Sequence, residues 1–256
     1  MDELEKYYNK FNEDKRLLSR HGQVEFFVAS KYINDIIADR QNLNILDVGA
    51  GTGRYSVMLA NEGHNVTALE YVKKNVSQIK MKSDKVKAFQ GNALNLKKFK
   101  DNSFDIILLF GPTYHLFSHE DKLKAITESK RVLKKGGHIL IMYLTNEYAV
   151  VTYAFKEGNL QQVIKENKLD QNFQTQTSIE DLYSYVRLEE INKLKDDAKL
   201  TRIKIIGVDG PTDYIRQTIN KMTDEDFEIY KQYVLSISQR PELLGASSHI
   251  LDILQK

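Results

Sequence analysis

"NILDVGAGTGRYSVMLA", residues 44–60, passes from an apolar run through three glycines into a helical pattern. A strand, a glycine turn and a helix N-terminus in that order make a nucleotide-binding device, because glycine lets the backbone turn sharply and lie against a ligand. The dinucleotide version reads G-x-G-x-x-G. Here glycines stand at 49, 51 and 53, and Arg54 occupies the place where that pattern wants Gly or Ala. The displaced third glycine argues against NAD, since it serves strand–helix packing beside a pyrophosphate. No G-x-x-x-x-G-K-[ST] stretch occurs, which argues against a P-loop.

Two carboxylates frame the turn. Glu70 closes the next apolar run, 21 residues past Gly49, where it would accept the hydroxyl protons of a ribose. Asp47 adds negative charge just before the glycines. It would repel a pyrophosphate but tolerate an ammonium or sulfonium. The combination points to S-adenosylmethionine.

Outward from this stretch the pattern alternates. Strands are expected at 44–48, 65–70, 86–93, 104–112 and 138–144, and helices at 54–61, 72–81 and 120–133, the last stopped by Gly136-Gly137. Strands and helices of these lengths in alternation imply a parallel sheet covered on both faces. "FDIILLFGP" (104–112) is apolar throughout, as suits a central strand. Residues 1–40 read as helical. After 144 the rhythm breaks: 147–185 has no clear strand, 187–198 is helical, 202–210 a strand, 212–222 and 224–238 amphipathic, and 248–256 a closing strand. The expectation is one domain, 1–256: a helical lid (1–40), a cofactor-binding core (41–144) and two insertions (145–185 and 211–245) that cover the substrate.

Composition permits this. A chain of 256 residues with 41% hydrophobic content fills a core, and a net charge of +2 advertises neither nucleic acid nor membrane. There is no cysteine, so no disulfide and no cysteine metal site. The charged start "MDELEKYYNKFNEDKR" is no signal peptide, and the apolar runs fall short of the ~20 residues of a membrane helix. The default expectation is a cytoplasmic protein.

"LDVGAGTGRY", "ALE", "GNAL", "FDIILLFGPTYHL" and "RVLKKGGHILI" stand in the order and spacing of the class I S-adenosylmethionine-dependent methyltransferases, which this chain resembles closely over about 40–144 and more loosely beyond. The resemblance implies a Rossmann-like α/β fold: a seven-stranded, mostly parallel sheet whose last strand runs antiparallel between the fifth and sixth. By position it places Gly49, Ala50, Gly51 and Gly53 along the cofactor and Asp47 near its amino-acid part. Glu70 falls on the ribose, Tyr71 near the adenine, and Phe110 and Gly111 beside the methionine part. The acidic-then-small pair that usually reads the adenine amine is replaced here by Asn92-Ala93. Related enzymes often close the pocket with an N-terminal helix, which makes Tyr8 (or Tyr7) and Arg20 (or Arg16) candidates for the cofactor carboxylate.

Methyl transfer from a sulfonium is an in-line displacement with a neutral leaving group, so the protein mainly aligns the partners in a dry pocket. The loop "GPTYHLFSHEDK" (111–122) follows the fourth strand at the carboxyl edge, where ligands bind in open parallel sheets. His115 is the candidate base there, against a positioning or structural role, and Tyr114 orients substrate or covers the cofactor. His115 and His119, with Glu120, have helical metal spacing but no third ligand, so no metal is expected. Tyr143, Tyr148 and Tyr153 are candidates for shaping a substrate cavity, and Arg240 or His249 for entering it. The partner expected is a small-molecule methyl acceptor. Two alternatives remain: an RNA methyltransferase using the lysine-rich stretch 73–100, which holds nine lysines and one acid, and a non-catalytic cofactor-binding protein.

Overall fold

The computed structural model describes Tyr7 and residues 18–256. Seven strands form one sheet in the order β3-β2-β1-β4-β5-β7-β6. They are β1 (Asn44–Val48), β2 (Asn65–Glu70), β3 (Lys87–Gln90), β4 (Phe104–Leu109), β5 (Leu133–Leu144), β6 (Thr201–Gly207) and β7 (His249–Gln255). All pairings are parallel except those of β7, which runs antiparallel to both β5 and β6. The expected topology is therefore present.

Side chains alternate between the two faces. In β5, Leu140 and Met142 join one apolar cluster, and Ile139, Ile141 and Tyr143 join the other. The first cluster receives α1 (Arg20–Ile37), α2 (Arg54–Asn61), α3 (Lys73–Lys82) and α9 (Asp224–Ile237). The second receives α4 (His119–Val132) and α7 (Leu188–Asp197). Ile106, Ile107, Leu108 and Leu109 of β4 are wholly buried, as a central strand covered on both faces requires.

Several boundaries differ from expectation. Helix α4 ends at Val132, and Leu133 already pairs with Phe104, so Gly136-Gly137 does not stop a helix but lies within β5. A Cβ on Gly137 would sit 2.8 Å from the Asp105 carbonyl oxygen, so close strand approach is what this position demands. Strand β4 stops at Leu109, because Gly111 and Pro112 turn the chain into a short 3-10 segment, Pro112–Tyr114. The first 40 residues were expected as a lid. Among the described residues of that stretch, α1 packs Val24, Val28, Tyr32 and Ile33 into the core. The insertion after 211 likewise packs much of itself on a sheet face: Ile219, Phe227, Tyr230 and Val234 join the same cluster as α1. The insertion after 144 contains α5 (Asn146–Ala149), a π-helical stretch, Val150–Lys156, and α6 (Leu160–Lys165). Among the described residues no helix is long and apolar enough to cross a membrane.

Candidate active site

The glycine turn leaves β1 with all three glycines at positive φ: Gly49 at 77°, Gly51 at 54° and Gly53 at 85°. Other residues pay about 1–2 kcal/mol for that conformation. Gly49 and Gly53 also answer to packing. A Cβ on Gly49 would lie 2.5 Å from Pro112 Cδ, and one on Gly53 would lie 2.8 Å from Ile79. Gly51 is different, because a Cβ there would meet nothing within 4 Å. The turn thus presses against the loop after β4 on one side and α3 on the other, and stands open at its middle glycine. Lys82 donates to the Thr52 carbonyl at 3.0 Å and braces the turn from α3.

Glu70 does more than end β2. Its Oε2 accepts the Gly51 N–H at 2.9 Å, and its Oε1 accepts the Val72 N–H at 2.9 Å and the Asn75 amide at 3.3 Å. The carboxylate ties the middle of the turn to the end of the neighbouring strand. Burial pushes its pKa up to about 7, against the pull of those hydrogen bonds. Asp47 is also buried and is pushed up to about 6, with Ser56 Oγ donating to it at 2.6 Å. Two buried carboxylates at a strand edge, both costly to ionise there, suit a ligand that brings donors or positive charge.

The remaining cofactor candidates divide. Phe110 is buried and meets Tyr55 edge-on at 5.1 Å, and Tyr55 in turn meets Phe26 at 5.1 Å. Gly111 approaches the turn so closely that a Cβ would lie 3.1 Å from the Gly49 carbonyl oxygen. Tyr71 is partly exposed beside Glu70, and Ala93 is buried in the second cluster. Asn92 Oδ1 accepts the Leu94 N–H at 2.9 Å, so its amide oxygen already shapes its own loop. Arg20, a candidate for the cofactor carboxylate, has protein partners. It pairs with Asp224 at 2.8 Å, donates to the Ile219 carbonyl and lies over the Phe227 ring, pinning α1 to α9 and the turn before it. Tyr8 and Arg16 lie outside the described residues. Tyr7 is helical and half-buried.

On the acceptor side, the 3-10 segment after β4 carries Tyr114 and His115. The His115 Nδ1–H donates to the Leu182 carbonyl at 2.9 Å. A carbonyl only accepts, which fixes the neutral tautomer with its lone pair on Nε2. Burial drives its pKa down to about 4. Tyr183 lies against His115 at 5.3 Å and against Tyr114 at 6.1 Å. Leu182 and Tyr183 also wall a cavity of about 320 Å³ beneath the first insertion, whose lining includes Val150, Tyr153, Val163 and Tyr185. Thr175 lines it too, and its buried hydroxyl has no partner among the described residues. Of the tyrosines expected to shape a cavity, Tyr153 does so. Tyr143 is core, and Tyr148 packs on Tyr214 at 6.3 Å. Arg240 makes an exposed pair with Glu242 and does not enter the cavity.

His119 pairs with Asp197 at 2.8 Å and joins α4 to α7. Asp209, Asp213 and His249 bring ligand atoms within 4.8 Å of one another. Sequence reasoning missed both aspartates, which follow β6 and meet His249 only through the antiparallel pairing of β7. The signal available was their run, "GVDGPTDY", which leaves a strand at the carboxyl edge. In the lysine-rich stretch, Lys98 covers the exposed Phe89 ring at 3.7 Å and Lys82 is engaged with the turn, so two of its cations serve the fold.

Residues 46–141 match a family model described as a methyltransferase domain. That stretch carries the pattern of a methyltransferase domain, on the Rossmann-like fold of the class I S-adenosylmethionine-dependent methyltransferases. Demethylmenaquinone methyltransferase of Listeria welshimeri is 36% identical over 113 residues, which are 39% of this chain and 44% of that protein. The ubiquinone/menaquinone biosynthesis C-methyltransferase of Vibrio parahaemolyticus is 32% identical over 121 residues, 44% of this chain and 45% of that one. The chain thus spans less than half the length of these relatives. An S-adenosylmethionine-dependent methyltransferase structure from Thermotoga maritima superposes with a TM-score of 0.61 at 19% identity, covering 98% of this chain and 97% of that one. The matched stretch therefore holds the glycine turn, both framing carboxylates and the post-β4 loop, while Tyr183 and His249 lie outside it.

Proposed function

We propose that this chain transfers a methyl group from S-adenosylmethionine to a small, ring-bearing, largely apolar acceptor. The observation that carries the reading is the turn at Gly51: left-handed, open to a ligand, and hydrogen-bonded to a buried Glu70 carboxylate. The residues fit the cofactor. Glu70 has used three acceptor positions on protein donors and retains capacity for a ribose hydroxyl. Asp47 tolerates the cationic amino-acid end, and Phe110 with Gly111 flanks it. When bound, S-adenosylmethionine supplies an electrophilic methyl on a good neutral leaving group. The chain's residues then hold the acceptor in line and exclude water.

The acceptor class rests on the cavity under the first insertion. Its walls are mostly aliphatic and tyrosine, the charged Lys168 and Asp181 are paired with each other at 2.6 Å, and one unpaired hydroxyl, Thr175, suits a polar substituent on the ligand. Of the two relatives named above, one is a demethylmenaquinone methyltransferase and the other a C-methyltransferase of ubiquinone/menaquinone biosynthesis, which supports a ring-bearing acceptor here. The test is calorimetric titration with S-adenosylhomocysteine, followed by incubation of a metabolite extract with labelled methyl donor. Binding together with label in an apolar aromatic product supports the reading. Binding with label only in RNA, in a salt-dependent manner, contradicts the acceptor class.

A further inference from the structure

The two histidines near the carboxyl edge stand in opposite electrostatic settings. His115 donates to a neutral carbonyl and is buried, so its imidazolium is disfavoured. His249 opens β7 opposite Leu144, the last residue of β5, at the same edge. Its Nδ1 lies 2.6 Å from Asp209 Oδ2. A carboxylate accepts, so Nδ1 carries a proton, and in the neutral ring the lone pair is on Nε2, on the far side of the ring. Tyr114 of the post-β4 loop sits 6.5 Å away, ring to ring.

Asp209 is held for this role. It is buried, and it accepts from the Ser247 hydroxyl, from the His249 backbone N–H at 3.0 Å and from the imidazole. Ser248 Oγ lies between Asp209 and Asp213, and its one proton reaches either carboxylate. Asp213 is in turn neutralised by Arg216 at 2.6 Å. With donors on both oxygens, Asp209 has little lone-pair capacity left for a metal ion, and the three-residue cluster reads as an oriented imidazole rather than a cation site.

We propose that His249, aimed by the positioning residue Asp209, removes the proton of the methyl acceptor. The proposal rests on the methyl-transfer reading and names the acceptor as protic, an O–H or activated C–H compound whose proton must leave. The acceptor's X–H bond breaks toward His249 Nε2, its electron pair forms the bond to the methyl carbon, and the carbon–sulfur pair stays with a neutral thioether. The positive charge is thereby transferred from the donor to the imidazolium, beside the Asp209 carboxylate that stabilises it, and solvent then takes the proton. His115 donates instead to a neutral carbonyl, which stabilises an imidazolium less than a carboxylate does. Among the described residues, the charged and titratable groups around His249 are Asp209, Asp213 and Tyr214 from the loop after β6, Arg216 from α8 (Arg216–Ile219), Tyr148 from α5 and Tyr114 from the loop after β4.

The test is an imidazole NMR titration of the full chain with bound S-adenosylhomocysteine, run beside label incorporation into the metabolite extract. The expected spectra show His249 protonated at Nδ1, with a titration midpoint that falls in Asp209→Asn while that of His115 stays in place. His249→Gln is expected to lower incorporation on the order of a hundredfold or more, with S-adenosylhomocysteine affinity within about twofold of the parent. In Asp209→Asn the acid limb of the pH–rate profile is expected to move with the His249 midpoint. A His249 titration indifferent to Asp209→Asn, or full incorporation by His249→Gln, overturns the assignment. Failure of the unmodified chain to bind S-adenosylhomocysteine overturns the methyl-transfer reading instead, so the two failures are distinct.

Discussion

The cofactor half and the acceptor half of this molecule are built by different rules. The cofactor half, from β1 to the loop after β4, is local: turn, carboxylate and brace come from adjacent strands and the helices between them. Gly51 finds Glu70 nineteen residues away, and Lys82 finds Thr52 thirty residues away. The acceptor half is assembled at long range. Leu182 meets His115 across 67 residues, and His249 meets Asp209 across 40. A local device leaves its spacing in the sequence; a long-range one leaves only residue types, whose neighbours the topology decides.

Substitutions should separate the two halves. The largest effect is expected from Gly49→Ala, where positive φ and a 2.5 Å approach to Pro112 act together. Strain and overpacking sum to about 2–5 kcal/mol of lost stability, measured by denaturant unfolding. Gly51→Ala sharpens the contrast. With no atom in its way it should cost only about 1–2 kcal/mol of stability, while S-adenosylhomocysteine affinity falls further than stability does. Equal losses at both glycines would mean that the open face of Gly51 has no ligand role.

Glu70→Ala comes next. It removes the acceptor for ribose hydroxyls and unties Gly51, so cofactor affinity should fall by about 1–3 kcal/mol, read by calorimetry. The pH dependence should carry the same signature. Glu70 titrates near 7 in the structure because burial raises it. Hydroxyl donors favour its charged form, so binding expels a proton. Affinity should hold above about pH 7 and decline as pH falls through it, with Asp47 adding a second decline near 6. Glu70→Gln should remove the upper step. The same shift acts on folding: a carboxylate easier to protonate when folded makes stability drop as pH rises from its ordinary value of 4.5 to about 7. The smallest effect is expected from Arg20→Ala, which cuts an exposed pair with Asp224 and leaves cofactor affinity in place.

What the sequence disclosed follows the same division. Alternating apolar strands and helices were legible from 44 to 144, and the order of the sheet followed from the resemblance. Glu70 was readable as a candidate ligand group, though not as the residue that clamps the turn, because hydrogen bonds to backbone leave no mark in residue identity. Gly136-Gly137 misled, since a glycine pair permits either a helix stop or the close strand approach that β5 makes to Asp105. The partner of Arg20 was not legible, because a cation near an N-terminal helix fits many partners, and α9 supplies one. His115 was visible as a histidine in the right loop, but its burial beneath Leu182 and Tyr183 depended on a segment 67 residues away.

The central claim is that the turn at 49–53, clamped by Glu70, holds an adenosyl sulfonium. Parallel calorimetric titrations with S-adenosylmethionine and NAD, on the parent chain and on Glu70→Ala, test it most directly. The account predicts saturable binding of S-adenosylmethionine alone, weakened by Glu70→Ala. Binding of NAD in its place, or S-adenosylmethionine affinity indifferent to Glu70→Ala, would contradict it.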